Sequence, residues 1–370
     1  MIVFFPGTKG GGARYVYELA LEANKSKKTV QFILNKDIEL KSLFDALEIT
    51  PIYFNGYYKY FPGFLIFDWV KIFFLLFKIL RTVDQKVIFS PMTHIFSPAT
   101  FLVTKLFKAT YVLTMHDAVT HEAKGRTYLE VLRKLDEQSA QKIIFLSMNV
   151  AKEFGYNSNT DTQLLLAHEA FRPLQISGDV GQDIDLFREH RDYFTLLIFG
   201  RIEKYKGISE FLSMLKDQPE SWLEYRIIIA GPGDARSISN DISYLSKIGL
   251  NINLVNRWIK EEEIPILFEI ADTILLTHKR ASQTGIIPLA ACFGTMVLAN
   301  NVAGLTEQDQ FGNVEFFDIN DPSSAANALV NIRMRDPVEK ENLKRRMEKL
   351  THSAWKQHWN EIENFCNSDQ

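Results

Sequence analysis

Residues 196–207, LLIFGRIEKYKG, decide the fold. Leu196 to Phe199 read as a buried strand that closes at Gly200-Arg201, and Lys206-Gly207 opens the next element. Behind that pair Ile208, Phe211, Leu212 and Leu215 recur at helical spacing, so the unit is strand, basic turn, helix. Arg201 and Lys206 are thereby delivered to one crevice beside a helix N-terminus. Unpaired amides and the helix macrodipole already favour phosphate there. A solvated basic turn is the plainer reading of the same two cations.

Working outward, the alternation repeats along the chain. Short apolar runs IVFF, TVQFIL, PIYF, KVIFS, TYVLTM, KIIFLS and QLLLA occupy the first half, and YFTLLIFG, YRIIIAG, INLV, TILLTH, TMVLAN and VEFFD the second. Runs of this length separated by helical patterns belong to parallel sheets covered on both faces. Between the sets, ISGDVGQDID loses its apolar character and reads as a linker. The predicted fold class is therefore α/β, with two Rossmann-like domains facing across a cleft, residues 1–175 and 190–350. A chain of 370 residues supplies a core for each. Near the end, SAWKQHWNEIENF places Trp355, Trp359 and Ile362 on one helical face that must be buried.

Composition narrows the function classes. A net charge of -3 gives no global reason to expect nucleic acid, so any anion site is local. The two cysteines, Cys292 and Cys366, make neither a disulfide framework nor a zinc cluster. The opening MIVFFPG reads as a strand without a basic n-region or cleavage site, which points to the cytoplasm.

The segment GRIEKYKG resembles the GRxxxxKG motif of the GT-B glycosyltransferases, specifically the retaining family four, in which the two cations hold the diphosphate of a nucleotide sugar. Further segments resemble that family in the same order: Gly10-Gly11-Gly12, His116-Asp117 in YVLTMHDAVTH, Gly231-Pro232-Gly233 in RIIIAGPGD, and SQTGIIPLAACFGTMVLANNVAGLTE. The resemblance spans nearly the whole chain. It implies a nucleotide-sugar donor on the second domain and a saccharide acceptor on the first, with the terminal helix, 353–370, packing back onto the first.

Ligands in open parallel sheets bind outside the carboxyl ends of the strands, which sorts the polar residues. Gly11 and Gly12 follow the first strand and let a ligand approach the backbone, or simply make a tight turn. A dinucleotide fingerprint would need G-x-G-x-x-G; the spacing here breaks it, although Asp37 stands roughly where the ribose-binding acid would. His116 and Asp117 end another strand and are predicted to point into the cleft. The resemblance sets the histidine against the donor sugar, while Asp117 belongs to the acceptor side or caps the next helix. His94 follows a strand and is a candidate on the acceptor side; His168 stands where relatives have a Pro-His pair, but Ala167 replaces the proline and a structural role is read. Gly200, Gly231 and Gly233 are assigned to the donor site, the last two as a turn that leaves room for the base or ribose. Arg257 resembles the position that contacts the base.

The last motif departs from the family. Many relatives carry two glutamates with seven residues between them that hold the donor sugar and the ribose, and counting back from Gly294 puts Ala281 and Leu289 in their places. What remains is Ser282, Thr284, Gly285 and Ile286, where a hydroxyl can cap the following helix and amides can face the diphosphate. Glu307 is a candidate replacement carboxylate or an exposed cap.

Transfer breaks the bond between the sugar C1 and the phosphate, so positive charge grows on the sugar and negative charge on the departing diphosphate. Arg201, Lys206 and helix N-termini meet the second need, and His116 completes the catalytic set. Asp183-Ile184-Asp185 spells a metal-binding Asp-x-Asp but falls in the linker, so no metal and no cofactor are expected. Retention of configuration follows from the resemblance alone. Residues 53–80 are crowded with aromatics around Asp68, Lys71 and Lys78; an amphipathic element at a membrane surface and a helix buried against the sheet both fit. The first implies a lipid-linked saccharide acceptor in surface polysaccharide or glycolipid synthesis. A degenerate GT-B scaffold of a polysaccharide-synthesis complex and a sugar-nucleotide epimerase are the other readings; the retained cations count against the first and the missing carboxylates against the second.

Overall fold

In the computed structural model the chain divides into two compact units, Met1–Glu169 with His352–Gln370, and Ala170–Thr351. The structure describes residues 1–27, 29–56, 62–116, 127–167, 169–174, 180–189, 193–281 and 283–368. Asp117, His168 and Ser282 therefore lie outside the described residues.

In the first unit strands and helices alternate: β1 (Ile2–Phe5), α1 (Gly11–Ser26), β2 (Gln31–Asn35), α2 (Lys41–Asp45), β3 (Ile52–Phe54) and α3 (Leu65–Leu80). There follow β4 (Val87–Ser90), α4 (Ser97–Phe107), β5 (Thr110–Met115), α5 (Thr127–Ser139), β6 (Lys142–Phe145), α6 (Met148–Glu153) and β7 (Gln163–Leu165). They form a seven-stranded sheet in the order β3-β2-β1-β4-β5-β6-β7. Every residue of IVFF in β1 is buried because the strand pairs in parallel on both sides, Ile2 with Gln31 and with Ile88.

The second unit runs α7 (Gln182–Glu189), β8 (Phe194–Phe199), α8 (Ile208–Asp217), β9 (Tyr225–Ala230), α9 (Arg236–Lys247), β10 (Asn251–Val255) and α10 (Ile264–Ile270). It continues with β11 (Thr273–Leu276), α11 (Ile286–Cys292), β12 (Met296–Asn300), α12 (Ala303–Thr306), β13 (Val314–Phe317) and α13 (Pro322–Arg333). These strands make a six-stranded parallel sheet, β10-β9-β8-β11-β12-β13. Side chains of a strand alternate between faces, and β8 shows it: Leu196 and Ile198 enter one core with Phe211 and Leu215, Leu197 the other with Phe268 and Ile274. The α/β class with two Rossmann-like sheets, read from the apolar runs, is the observed one. The last helix, α14 (Pro337–Asn367), is shared, its residues through Thr351 grouping with the second unit and the rest with the first.

Two local readings change. Asp183-Ile184-Asp185 belongs to α7, where Ile184 and Phe187, one helical turn apart, are buried in the second unit's core; two apolar anchors sufficed where the surrounding polarity suggested a linker. On α3 the three charges part, with Asp68 buried while Lys71 and Lys78 are exposed.

In each sheet the order reverses beside its first strand, between β1 and β4 and between β8 and β11. Crossover connections leave such a junction in opposite directions, which opens a crevice at the carboxyl ends of that strand pair.

Candidate functional site

At the β8/β11 junction the chain leaves β8 through Gly200, whose φ of 106° is a left-handed value that glycine tolerates without strain. A β-carbon there would stand 2.8 Å from Lys206 Nζ, so the ammonium lies directly against the glycine backbone. Lys206 is 9% exposed, and burial pushes its pKa down to about 8; Glu203 works against that shift and Arg201 with it. Gly207 follows with φ 68° and starts α8, its Cα packed on the Thr277 carbonyl, 2.1 Å from where a β-carbon would sit. Thr277 Oγ1 donates to the Lys206 carbonyl at 2.5 Å, and the Lys279 amide to the Tyr205 carbonyl at 2.8 Å. The end of β11 therefore holds the basic turn in place. Arg201 is the more exposed cation, 3.8 Å from Glu203.

The strand-end rule should also have selected His278. It is buried two residues past the end of β11, with its ring 6.0 Å from that of Tyr205, and Asn300 Nδ2 donates to its carbonyl. The TILLTH run ends at the same junction as Arg201 but, as an apolar run, signals only a strand.

Gly231 and Gly233 have a packing reason of their own. A β-carbon on Gly231, at φ 149°, would meet the Gly200 carbonyl oxygen at 2.1 Å, and one on Gly233 the Ile202 carbonyl oxygen at 2.2 Å. The turn after β9 thus lies backbone to backbone on the Gly200 loop, fixing the loop that carries Arg201.

Arg257 is already engaged. Its guanidinium makes paired bonds to Asp183, at 3.0 and 2.7 Å, and to Glu263, both at 2.7 Å, which hold its pKa above the ordinary value. Glu263, with a fully buried side chain, also accepts from the Gly181 and Lys260 amides. The structure makes Arg257 a clamp between α7 and the turn after β10.

In the departing motif, Thr284 Oγ1 accepts from the Ile286 amide at 3.2 Å and so caps α11, while Gly285 is the residue before the helix. The Ile286 N–H is thereby committed within the chain. The Thr284 amide donates to Gln308 Oε1 at 2.6 Å. Gln308 is the side chain tied into this loop; its neighbour Glu307 is exposed at the end of α12.

In the first unit, the β1/β4 junction gathers Gly11, Gly12 and His116. Gly11 starts α1 with nothing within 4 Å of its absent β-carbon, leaving the helix N-terminus open on that side. Gly12 packs on Met92 Sδ and Phe5, so its smallness serves the core. His116 Nε2 lies 2.9 Å from the Pro91 carbonyl, and its ring stands edge-on to Tyr15 at 5.3 Å. A carbonyl only accepts, so Nε2 carries the proton and Nδ1 is the basic nitrogen of the neutral ring. Tyr15 in turn shares a 2.8 Å hydrogen bond with His358 and lies edge-on to Trp355, both from α14.

His94 is placed differently from an acceptor-lining residue. It is 8% exposed, edge-on to Phe4, with its amide donating to Asp136 and its ring 3.3 Å from the Tyr111 hydroxyl, which donates to Asp136 at 2.7 Å. Burial drives its pKa below the ordinary value, against the pull of Asp136. The cluster ties α5 to the turn after β4 from inside the core.

Residues 183–350, within the second unit, match the family model of the glycosyl transferases group 1. No curated protein sequence matches the chain. Among solved structures, Anabaena HepE in complex with UDP is similar at TM-score 0.69 and 16% identity, covering 98% of this chain and 99% of that one. Sucrose-phosphate synthase from Thermosynechococcus elongatus is similar at TM-score 0.69 and 16% identity, covering 100% and 99%. A glycosyltransferase from Rickettsia africae gives TM-score 0.65 and 14% identity, covering 100% and 98%. The fold is that of the GT-B glycosyltransferases, and the glycosyltransferase resemblance read from the motifs is met in both fold and family model.

Proposed function

We propose that this protein is a glycosyltransferase that moves a sugar from a nucleoside-diphosphate sugar to a saccharide or lipid-linked saccharide acceptor. The observation that carries this is Lys206, a buried ammonium held against Gly200 at the β8/β11 junction, with Arg201 beside it. A charge kept out of water by the fold, at the place where open α/β sheets bind ligands, suits an anion that brings its own negative charge. The UDP bound by the similar HepE structure is a ligand of that chemistry.

In the reaction the C1 to phosphate bond breaks, its electron pair leaving with the diphosphate, and an acceptor hydroxyl oxygen bonds C1 and releases its proton. Lys206 and Arg201 stabilise the charge on the leaving diphosphate. His116, with Nδ1 as its basic nitrogen, is assigned to the sugar or the acceptor hydroxyl. The reading takes transfer to be retaining and metal-independent, in surface polysaccharide or glycolipid synthesis. Support for metal independence is that the Asp-x-Asp spelling is spent elsewhere, Asp183 being bonded to Arg257.

The test is thermal unfolding of the protein with UDP, GDP, ADP, CMP and their sugar conjugates, beside Lys206→Ala. A ligand at a hundredfold excess over its Kd adds about 2.7 kcal/mol to the state that binds it, a shift of several degrees. One nucleotide family should stabilise the protein and lose that effect in the variant. If none does, active transfer is wrong and a scaffold of the same fold takes its place.

A further inference from the structure

Scattered exposed apolar residues are normal on a protein surface, and only a contiguous group needs a cause. In the first unit they are not scattered. All eight exposed large apolar side chains described there, Phe64, Ile66, Phe67, Val70, Phe74, Leu102, Leu106 and Val131, lie on α3, the turn before it, α4 and α5. These helices follow one another in one layer, α3 against α4 and α4 against α5. Helix α3 is two-faced: Ile72, Leu76, Ile79 and Leu80 enter the core, while Phe67, Val70 and Phe74 face outward at 64%, 51% and 62% exposure. The sequence fits a buried helix or an interfacial one equally; the structure buries one face and leaves the other apolar and exposed.

The exposed charges on α3 and α4 share one sign. Every charged side chain exposed on α3 and α4 is a lysine, Lys71, Lys78 and Lys105, and the two helices end at exposed Arg81 and Lys108. Asp68, the acid of α3, is buried. Protein interfaces deplete lysine at their centres, whereas an anionic bilayer rewards aromatic rings at headgroup depth flanked by lysines that reach its phosphates.

We infer that the outer face of α3 and α4 docks on the surface of an anionic phospholipid bilayer, with Phe67, Val70 and Phe74 entering the headgroup layer and the lysines and Arg81 meeting lipid phosphate. No helix among the described residues is long and apolar enough to cross a membrane, so the attachment is peripheral. The docked face is wired to the site region. Trp69 Nε1 donates to the Ile95 carbonyl at 2.8 Å, holding α3 to the turn after β4, whose Pro91 carries His116. The docking stands whether or not the sugar-transfer reading does.

Co-sedimentation of the full chain with phosphatidylcholine vesicles, and with vesicles that also contain phosphatidylglycerol, tests it. Binding is expected to the mixed vesicles only, to fall with added salt, and to drop by about fivefold for each lysine removed in Lys71→Gln and Lys78→Gln. Phe67→Ser with Phe74→Ser should abolish it while circular-dichroism melting stays unchanged, since both rings are exposed. No binding to either vesicle overturns the proposal. So does a dimer in light scattering that the same Phe variants dissociate, which would make this face a contact between copies of the chain.

Discussion

Replacing Lys206 with methionine separates the stability of the second unit from its capacity to hold an anion. Methionine has nearly the length of the lysine stem and no charge to desolvate. The lysine titrates at about 8 in the fold against 10.5 ordinarily, because burial disfavours the ammonium. At about 1.36 kcal/mol per tenfold in ionisation, that gap corresponds to an upper bound of about 3 kcal/mol spent keeping the charge buried. The sign is fixed by proton binding. Below about pH 8 the lysine is charged in the folded and unfolded chain alike and the penalty is fully present. Between about 8 and 10.5 the folded state has released the proton while the unfolded chain retains it, so stability rises with pH; above that range the gain is complete. Lys206→Met should therefore raise the apo melting temperature by several degrees at pH 7, and much less at pH 10. Added nucleoside diphosphate should stabilise the wild type at pH 7, lose that effect as pH passes about 8, and do nothing for the variant. The assay is the melting temperature of both proteins across pH, with and without nucleotide. A variant that is less stable than the wild type at pH 7 would refute the reasoning, because the ammonium would then be a satisfied structural group rather than a charge awaiting an anion.

Arg257→Ala should destabilise the second unit by about 3 kcal/mol in denaturant melts, since it strands the fully buried Glu263, while leaving any preference among nucleotides unchanged; an altered base preference at full stability would restore a base-contacting role. Gly231→Ala must push the Gly200 carbonyl from 2.1 Å and adopt a strained φ, so a loss of about 2 to 4 kcal/mol is expected, with Arg201 displaced and nucleotide stabilisation lost with it. His116→Ala should lower kcat by on the order of a hundredfold or more once a donor and acceptor are known, with the nucleotide-induced melting shift intact; loss of that shift instead would assign His116 to binding.

The fold was legible because parallel strands buried on both faces write themselves as apolar runs, and every strand of both sheets corresponds to one. Buried strands also end abruptly, so Gly200-Arg201 and His116 stood out at the edges where ligands bind. What the sequence hid were partnerships made at a distance. Nothing near Arg257 reveals that Asp183 and Glu263 will saturate it, and nothing in AGPGD shows that Gly231 and Gly233 serve the close approach of another loop. Thr284 was readable as a cap by its position before an apolar run, but its amide partner Gln308 comes from after α12. His94 looked like a strand-end ligand residue by the rule that picked His116. Its amide and ring are drawn inward by Asp136, which arrives from α5, forty-two residues later in the chain.

The same distinction explains why the second unit uses lysine as its inner cation. An arginine set between two acids, as Arg257 is, satisfies itself in a rigid double fork and has nothing left to offer a ligand. Lys206 sits at the end of a flexible stem against a glycine, where no side chain from Gly200 can compete for it. Its depressed pKa and its burial are two expressions of one fact, that the fold supplies this ammonium with less compensation than water would. A diphosphate restores that compensation on binding, so the pH at which nucleotide stabilisation disappears should track the lysine and no other group. Raising Lys206's pKa by introducing a nearby carboxylate, as in Gly200→Asp, should then abolish nucleotide binding even if the variant folds, because the added carboxylate occupies the anion's place.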